Sequence, residues 1–216
     1  MTIKISPSLA SAPTERLGEA VRVLDEAGAD YIHFDVEDGA FVPVMTLGTK
    51  IIGDLRPYSD LPFDVHLMVK NPEWLLPEII ADGADRVSVH LEACTYPRRV
   101  LRKIVELGAT AGLAVNPKTP LPDLTFLQPY LSFLVILTTE PEGPDCPFLL
   151  PVLEKVRRGK EDPYLKDMEW VVDGGVNADN IAEVAQAGAD TVVVGRGAFQ
   201  DDDVKHNLRN LRKKAG

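Results

Sequence analysis

The chain has few cysteines, no long apolar run and no excess of positive charge, and each shortage excludes a class of protein. Its two cysteines, Cys94 and Cys146, are isolated and lack the CxxC spacing of zinc knuckles and redox motifs. No stretch approaches the roughly 20 apolar residues of a membrane span. A net charge of −10 disfavours nucleic acid and anionic membrane surfaces as partners.

The amino-terminal residues also lack the apolar segment and cleavage site of a signal peptide. Together with the isolated cysteines, this favours a reducing, cytoplasmic compartment. The composition is 45% hydrophobic and 26% charged, as in ordinary globular proteins. A chain of 216 residues can form one substantial core, so we expect a single domain over residues 1–216.

A weak internal repeat predicts the architecture. Glycine-alanine pairs begin at Gly28, Gly83, Gly108 and Gly188, each between a helical pattern and an apolar run. Glycine is favoured just past a helix, so each pair indicates a helix end leading into a strand. The spacings of 55, 25 and 80 residues are close to multiples of about 27, the size of a short βα unit. Eight such units fill the chain and predict a (β/α)₈ TIM barrel.

Apolar runs at this spacing predict eight parallel strands. They lie near Ile3–Pro7, Tyr31–Val36, Phe63–Val69, Arg86–His90, Ala111–Val115, Phe133–Ile136, Trp170–Asp173 and Thr191–Val194. Helical patterns separate many of them, and the polar segment Gly159–Lys166 is expected to be a loop. In such a barrel the active site lies at the carboxyl ends of the strands.

Four polar side chains occur where three of these strands end. His33 and Asp35 share one face of their strand because alternate residues point the same way, and His66 and Asp173 end two other strands. Two imidazoles and two carboxylates that converge would suit Zn²⁺, Mn²⁺, Co²⁺ or Fe²⁺. The alternative is four separate, hydrogen-bonded polar residues in a large core.

The two remaining histidines carry weaker signals. His90 also ends a strand, but with Glu92 so close we expect an ordinary core or loop hydrogen bond for both residues. His206 lies in the last helical pattern and is expected at the surface.

Five segments in order resemble the ribulose-phosphate 3-epimerase family, including its hexulose-phosphate (allulose 6-phosphate) members. They cover nearly the whole chain, and the HxD…HLM…DGG set is specific: Ile5–Leu9 (ISPSL), His33–Pro43 (HFDVEDGAFVP), Asp64–Val69 (DVHLMV), Asn116–Leu121 (NPKTPL) and Val172–Asn177 (VDGGVN).

The resemblance implies a ribulose-phosphate-binding type of TIM barrel and a set of site residues. It implies that Asp35 and Asp173 are an acid/base pair and that both, with His33 and His66, bind one divalent cation. It further implies that Ser8, His66 and Met68 contact the substrate or line the metal site. No organic cofactor is implied, because two carboxylates and a metal-stabilised enediolate suffice for epimerisation next to a ketone. A homo-oligomer is also implied.

The chain departs from the family pattern beside the first motif. Glu37 stands where the family has methionine, Ala40 where it has histidine, and Val44 where it has asparagine. Strand alternation would turn Glu37 toward the site, where it would add negative charge or bind a substrate hydroxyl or amine. Alternatively, it lies in the following loop and faces water.

The phosphate-binding segments depart further. The family's glycine-rich NPGFGGQ loop corresponds here to Glu140–Cys146, where Gly143 is the one glycine and two prolines remove donors. Gly174 and Gly175 are kept, and the family's Gly-Ser becomes Gly195 and Arg196. Arg196 either restores an anion contact or is a surface arginine at a helix start.

The sequence therefore predicts a metal-dependent isomerase that epimerises a ketose phosphate, of the ribulose or xylulose 5-phosphate type, at C3. The alternative within the class is a paralogue for a different or non-phosphorylated ketose. A non-catalytic sugar or metal sensor is disfavoured because binding does not need an acid and a base. A lyase is disfavoured because the D-x-K-x-x-D motif of related barrels is absent.

Overall fold

The computed structural model describes residues 2–141 and 146–216 and contains eight parallel strands that form a barrel. The strands are β1 Lys4–Pro7, β2 Ile32–Glu37, β3 Phe63–Met68, β4 Ala84–His90, β5 Thr110–Val115, β6 Phe133–Leu137, β7 Glu169–Asp173 and β8 Thr191–Val194. Strands pair with their neighbours from β2 through β8, and β8 pairs with β1. A parallel bridge between Ser8 and His33 joins β1 to β2, so the TIM barrel prediction is confirmed.

Helices alternate with the strands. They are α1 Leu17–Glu26, α2 Lys50–Leu55, α3 Leu76–Ala81, α4 Pro97–Glu106, α5 Glu154–Glu161, α6 Ile181–Gln186, α7 Arg196–Phe199 and α8 Val204–Ala215. Short 3₁₀ helices begin several connections. The four repeat glycines each follow a helix with φ between 78° and 107°, a conformation that glycine adopts without steric cost. These glycines therefore end their helices as predicted. No helix in the described part of the chain is long and apolar enough to cross a membrane.

Two connections differ from the simple repeat. The described residues 116–132 between β5 and β6 form turns and no α-helix. The prediction of a loop over Gly159–Lys166 is wrong at its start, because α5 continues to Glu161. Gly159 is buried in this helix against Trp170 of β7, so it serves close packing rather than a helix end.

The inside of the barrel is apolar on one side and polar on the other. The apolar side comes from β5 to β8, where Phe133, Val135, Val171 and Val193 pack in one buried cluster, although β7 also carries Glu169 and Asp173 and β8 carries Thr191. The polar side comes from β1 to β4, whose buried polar residues are Ser6, Ser8, His33, Asp35, Asp64, His66, Arg86, Ser88 and His90. The main apolar core lies outside the strands, between the sheet and the helices. The polar side therefore has to be satisfied inside the barrel.

Candidate metal and active site

The four predicted ligands lie together at the carboxyl ends of β2, β3 and β7. One donor atom from each of His33, Asp35, His66 and Asp173 falls within 4.8 Å of the other three. The parallel register brings Asp35 opposite His66, which sets two of the donors side by side. These residues are therefore one cluster and not four separate core residues.

The separations between donor atoms suit a small divalent cation. Asp35 Oδ1 lies 3.3 Å from His33 Nε2 and 3.7 Å from His66 Nδ1. Asp173 Oδ2 lies 3.8 Å from His33 Nε2 and 3.1 Å from His66 Nδ1. Neighbouring ligands of a tetrahedral zinc site with bonds of about 2.0–2.2 Å lie about 3.3–3.6 Å apart. The donor set and its spacing therefore fit a metal ion.

His33 supplies an independent sign of such an ion. Its Nδ1 contacts Asp64 Oδ2 at 3.0 Å, while its buried Nε2 has no hydrogen-bond partner among the described residues. Asp64 is itself held by Arg86 Nε at 3.3 Å and by the Ser6 hydroxyl at 3.3 Å. A carboxylate behind one nitrogen and an unsatisfied nitrogen in front is the arrangement of a metal-bound histidine.

The pKa shifts of His33 and Asp35 are also consistent with a cation site. Burial acts to lower the pKa of His33, but the Asp35 and Asp64 carboxylates outweigh it and raise that pKa well above its usual range. Burial acts to raise the pKa of Asp35, but the charge of His33 lowers it below its usual value. The pocket thus favours a positive charge between its carboxylates, which a proton or a metal ion can supply.

His66 has a different partner behind it. Its Nε2 lies 2.9 Å from His90 Nε2, and His90 Nδ1 lies 3.3 Å from Glu92 Oε2. Glu92 also accepts hydrogen bonds from the Asn116 backbone and the Thr119 hydroxyl. Burial lowers the pKa of His90 to about 4. The Glu92 pKa falls to about 2, because these hydrogen bonds outweigh the effect of burial.

A cavity of about 340 Å³ opens beside the cluster, bordered by Asp35 and Asp173. Ser8 and Met68 line it as well, whereas His66 is fully buried behind it. The Ser8 hydroxyl donates to Asp35 Oδ2 at 2.5 Å, which leaves Asp35 Oδ1 directed toward the histidines. The catalytic roles of these residues stay predictions, but their positions are those that acid/base chemistry needs.

Glu37 lines the same cavity, so its side chain turns toward the site and does not lie in the following loop. Its Oε2 accepts a hydrogen bond of 2.6 Å from the Thr46 backbone, which ties the loop after β2 to the strand end. Partial burial and the nearby Asp35 carboxylate raise the pKa of Glu37.

The predicted anion-binding residues form one wall of the cavity, beginning directly after Asp173. Gly174, Gly175, Gly195 and Arg196 all line it. A Cβ on Gly174 would lie 2.5 Å from Thr139 Oγ1, and Gly174 and Gly175 have φ of 105° and 70°. Glycine is therefore required for this backbone path. Gly143 lies outside the described residues, and Arg196 is the one basic side chain among the described lining residues.

The sequence patterns do not predict the residues that contact the outer ring nitrogens of His33 and His66. His90 and Glu92 do hydrogen-bond to each other, but the contact of His90 with His66 was not expected. Asp64 lies two residues before His66, so strand alternation alone turns it into the barrel, and the register brings it opposite His33. His206 is exposed on α8, as predicted.

Comparison with proteins of known sequence identifies close relatives. The profile of the Ribulose-phosphate 3 epimerase family matches residues 4–199. The ribulose-phosphate 3-epimerase of Bacillus subtilis (strain 168) is 37% identical over 97% of this chain and 98% of its own length. That of Escherichia coli (strain K12) is 39% identical over 96% of this chain and 94% of its own length.

Solved structures with low sequence identity share the fold. A tryptophan synthase α-subunit from Pyrococcus furiosus has a TM-score of 0.68 at 18% identity, with 99% of this chain and 96% of that chain covered. An orotidine 5'-phosphate decarboxylase from Pyrococcus horikoshii OT3 has a TM-score of 0.66 at 16% identity, with 98% of each chain covered. These likenesses support the barrel alone, whereas the family profile and the full-length relatives establish descent. The chain belongs to the ribulose-phosphate 3-epimerase family of isomerases.

Proposed function

We propose that the protein epimerises a ketose phosphate at C3, with Asp35 and Asp173 as the acid/base pair. The observation that carries the proposal is that these two aspartates, from β2 and β7, both border the cavity and both belong to the histidine-aspartate cluster. The ribulose-phosphate 3-epimerase relatives at 37–39% identity support a pentose phosphate of the ribulose 5-phosphate type as substrate.

Epimerisation requires one carboxylate to remove the C3 proton and another acid to return a proton to the opposite face. Asp35 and Asp173 come from strands separated by β8 and β1, so they approach the cavity from different sides. The Ser8 hydroxyl holds one oxygen of Asp35 and thereby fixes the direction of the other. His33 Nε2 and His66 Nδ1 each lie 3.1–3.8 Å from an oxygen of both aspartates, so the two carboxylates face shared donors.

A divalent cation held by His33, Asp35, His66 and Asp173 is part of this proposal. The unsatisfied Nε2 of His33 and the donor spacings support it. When bound, such a cation supplies Lewis acidity toward the substrate ketone and charge stabilisation for the enediolate. The nitrogen and carboxylate donors suit Zn²⁺, Fe²⁺, Mn²⁺ or Co²⁺.

The wall formed by Gly174, Gly175, Gly195 and Arg196 is the proposed phosphate end of the substrate site. Backbone amides at tight glycine turns and an arginine fork are suitable donors to a phosphate group. A phosphate group held by this wall would leave the ketone end of the sugar to reach Asp35 and the cluster. Glu37 supports a second candidate, a ketose other than ribulose 5-phosphate, because its carboxylate lines the cavity and can accept a hydrogen bond from an additional substrate hydroxyl.

Proton–deuterium exchange tests the reaction and the acid/base pair together. Metal-loaded protein in D₂O is incubated with ribulose 5-phosphate, xylulose 5-phosphate and their unphosphorylated ketoses, and deuterium at C3 is measured by NMR. Asp35→Asn and Asp173→Asn should each lower turnover by about 10²–10⁴. Exchange with none of these ketoses in the wild-type protein would favour the sensor. Turnover at the wild-type rate in Asp173→Asn would rule out the two-aspartate mechanism.

Arg196→Ala tests the phosphate end separately. Loss of a charge-assisted contact worth roughly 1.5–3 kcal/mol should raise KM for a phosphorylated ketose by about 10–150-fold. The variant should leave any turnover of an unphosphorylated ketose nearly unchanged. Arg209→Ala, on the exposed side of α8, is the matched control and should alter neither value. A KM unchanged in Arg196→Ala would assign phosphate binding to the glycine turns alone.

A further inference from the structure

His66 uses its two ring nitrogens for two different contacts. Nδ1 faces the carboxylates of the cluster, 3.1 Å from Asp173 Oδ2 and 3.7 Å from Asp35 Oδ1. Nε2 faces away from them and lies 2.9 Å from His90 Nε2. The ring centroids are 4.9 Å apart with planes 14° from parallel, while the nitrogens are much closer. The two rings therefore meet edge to edge, which is the geometry of an N–H···N hydrogen bond and not of face-to-face stacking.

His90 is fixed on its other sides as well. Its Nδ1 lies 3.3 Å from Glu92 Oε2, and the side chain is fully buried. The Phe41 ring lies 4.8 Å from the His90 ring, centroid to centroid. Glu92 is anchored in turn, because its Oε1 accepts from the Asn116 backbone at 2.8 Å and from the Thr119 hydroxyl. His90 therefore lies between a fixed carboxylate and the ring of a proposed metal ligand.

The hydrogen-bond partners of His66 and His90 indicate which ring nitrogens carry protons. The Glu92 carboxylate accepts hydrogen bonds only, so His90 Nδ1 has to carry a proton. The neutral His90 ring then has a bare Nε2, and the 2.9 Å contact needs His66 to donate from its own Nε2. Nδ1 of His66 faces Asp173 Oδ2 at 3.1 Å, and a cation would take the place of the proton that this contact shares in its absence.

We propose that His90, anchored by Glu92, is a positioning residue that keeps a proton on Nε2 of His66 and so reserves Nδ1 for the cation. The proposal rests on the proposed function for the identity of that cation. The two proposed histidine ligands then differ in the group that hydrogen-bonds to the ring nitrogen facing away from the cation. His33 is backed directly by the Asp64 carboxylate, whereas His66 is backed by an imidazole with a carboxylate one step behind it.

Binding of Zn²⁺ alone, by competition with a chelator, tests the role of His90. His90→Phe keeps a flat ring beside Phe41 but has no acceptor, so the Kd for Zn²⁺ should rise about 10–100-fold. His90→Gln offers a side-chain oxygen to His66 and should recover most of that affinity. His206→Gln, on the surface of α8, is the control and should bind as the wild type does. Equal affinities in His90→Phe and His90→Gln, both folded by circular dichroism, would overturn the proposal.

Nitrogen-15 NMR of the metal-free protein supplies a second readout that needs no metal binding. We expect protonated Nε2 on His66, bare Nε2 on His90 and protonated Nδ1 on His90. A bare Nε2 on His66 or a bare Nδ1 on His90 would overturn the assignment. A wild-type protein that binds no divalent cation would instead contradict the proposed function, and the NMR result would still decide what His90 does.

Discussion

His90 is the residue whose burial has the clearest consequence for pH. The side chain is fully buried, and burial lowers its pKa to about 4 from the ordinary value of 6.5. In the unfolded chain this histidine takes up a proton as the pH falls below 6.5, whereas in the folded protein it stays neutral until about pH 4. The folded state therefore loses stability as the pH falls through this window.

The free energy of unfolding should fall by roughly 3 kcal/mol between pH 6.5 and pH 4 because of His90. Urea unfolding of metal-free protein at several pH values measures it, with His90→Phe as the reference that lacks the group. The contribution of His90 is read from the difference between the two curves, because His33 also contributes to the pH dependence. The raised pKa of His33 adds stability below pH 6.5 that is lost as the pH rises. Parallel curves for the two proteins would contradict the buried, neutral state of His90.

Strand alternation explains how much of the site could be predicted from single residues. It turns His33 and Asp35 to the same face, and it applies equally to Asp64 and His66 on the next strand. What alternation cannot supply is the pairing, since contacts such as that of His66 with His90 depend on side-chain directions across two strands. The sequence therefore predicts which residues point inward better than it predicts what each one contacts.

At the scale of elements, α5 and β7 show where sequence patterns fail. Glycine in a polar segment indicates a loop, so the sequence predicts that Gly159 begins one, whereas Gly159 lies inside α5. The reason is Trp170, whose fully buried indole occupies the space where a Cβ would be. The helical repeat likewise could not predict the turns over residues 116–132, because barrel units tolerate such replacements without loss of the strand order.

Gly159→Ala should destabilise the protein although alanine is the better helix former. A Cβ at residue 159 would lie 1.9 Å from two ring atoms of Trp170, so α5 or the indole has to move. Overpacking of this kind costs about 1–3 kcal/mol, and a helix-propensity gain of about 0.8–1.0 kcal/mol offsets only part of it. Urea unfolding measures the change. Gly48→Ala is the matched control, since Gly48 is exposed and a Cβ there would meet no other atom within 4 Å, so the change should be nearly neutral.

At the scale of the whole molecule, the two sides of the barrel interior differ in their content of polar residues. Strands β5 to β8 contribute an apolar cluster together with the polar Glu169, Asp173 and Thr191, whereas β1 to β4 hold the buried histidines, Asp35, Asp64 and Arg86. The sequence predicts the eight-strand frame because its period is regular. It does not predict this division, because which strands face each other across the barrel follows only from closure.

Arg86 joins the two sides below the site. Its guanidinium donates to Asp64 Oδ1 at 3.3 Å, to Glu169 Oε2 at 2.9 Å and to the Tyr31 hydroxyl at 2.9 Å. It also lies 4.1 Å from the centroid of the Phe133 ring on the apolar side. The network thus connects β4 to β3, β6 and β7, and through Asp64 it reaches His33.

Arg86→Met tests whether this network holds the barrel together. The change keeps most of the side-chain volume but leaves the buried Asp64 without its guanidinium partner, so the free energy of unfolding should fall by about 3–5 kcal/mol. Urea unfolding at pH 7 measures the loss. Arg99→Met removes an equally direct ion pair, Arg99 to Glu73 at 2.7 Å, but at an exposed site, and should change stability little. Equal effects of the two substitutions would mean that burial adds nothing to the stabilising effect of the Arg86 network.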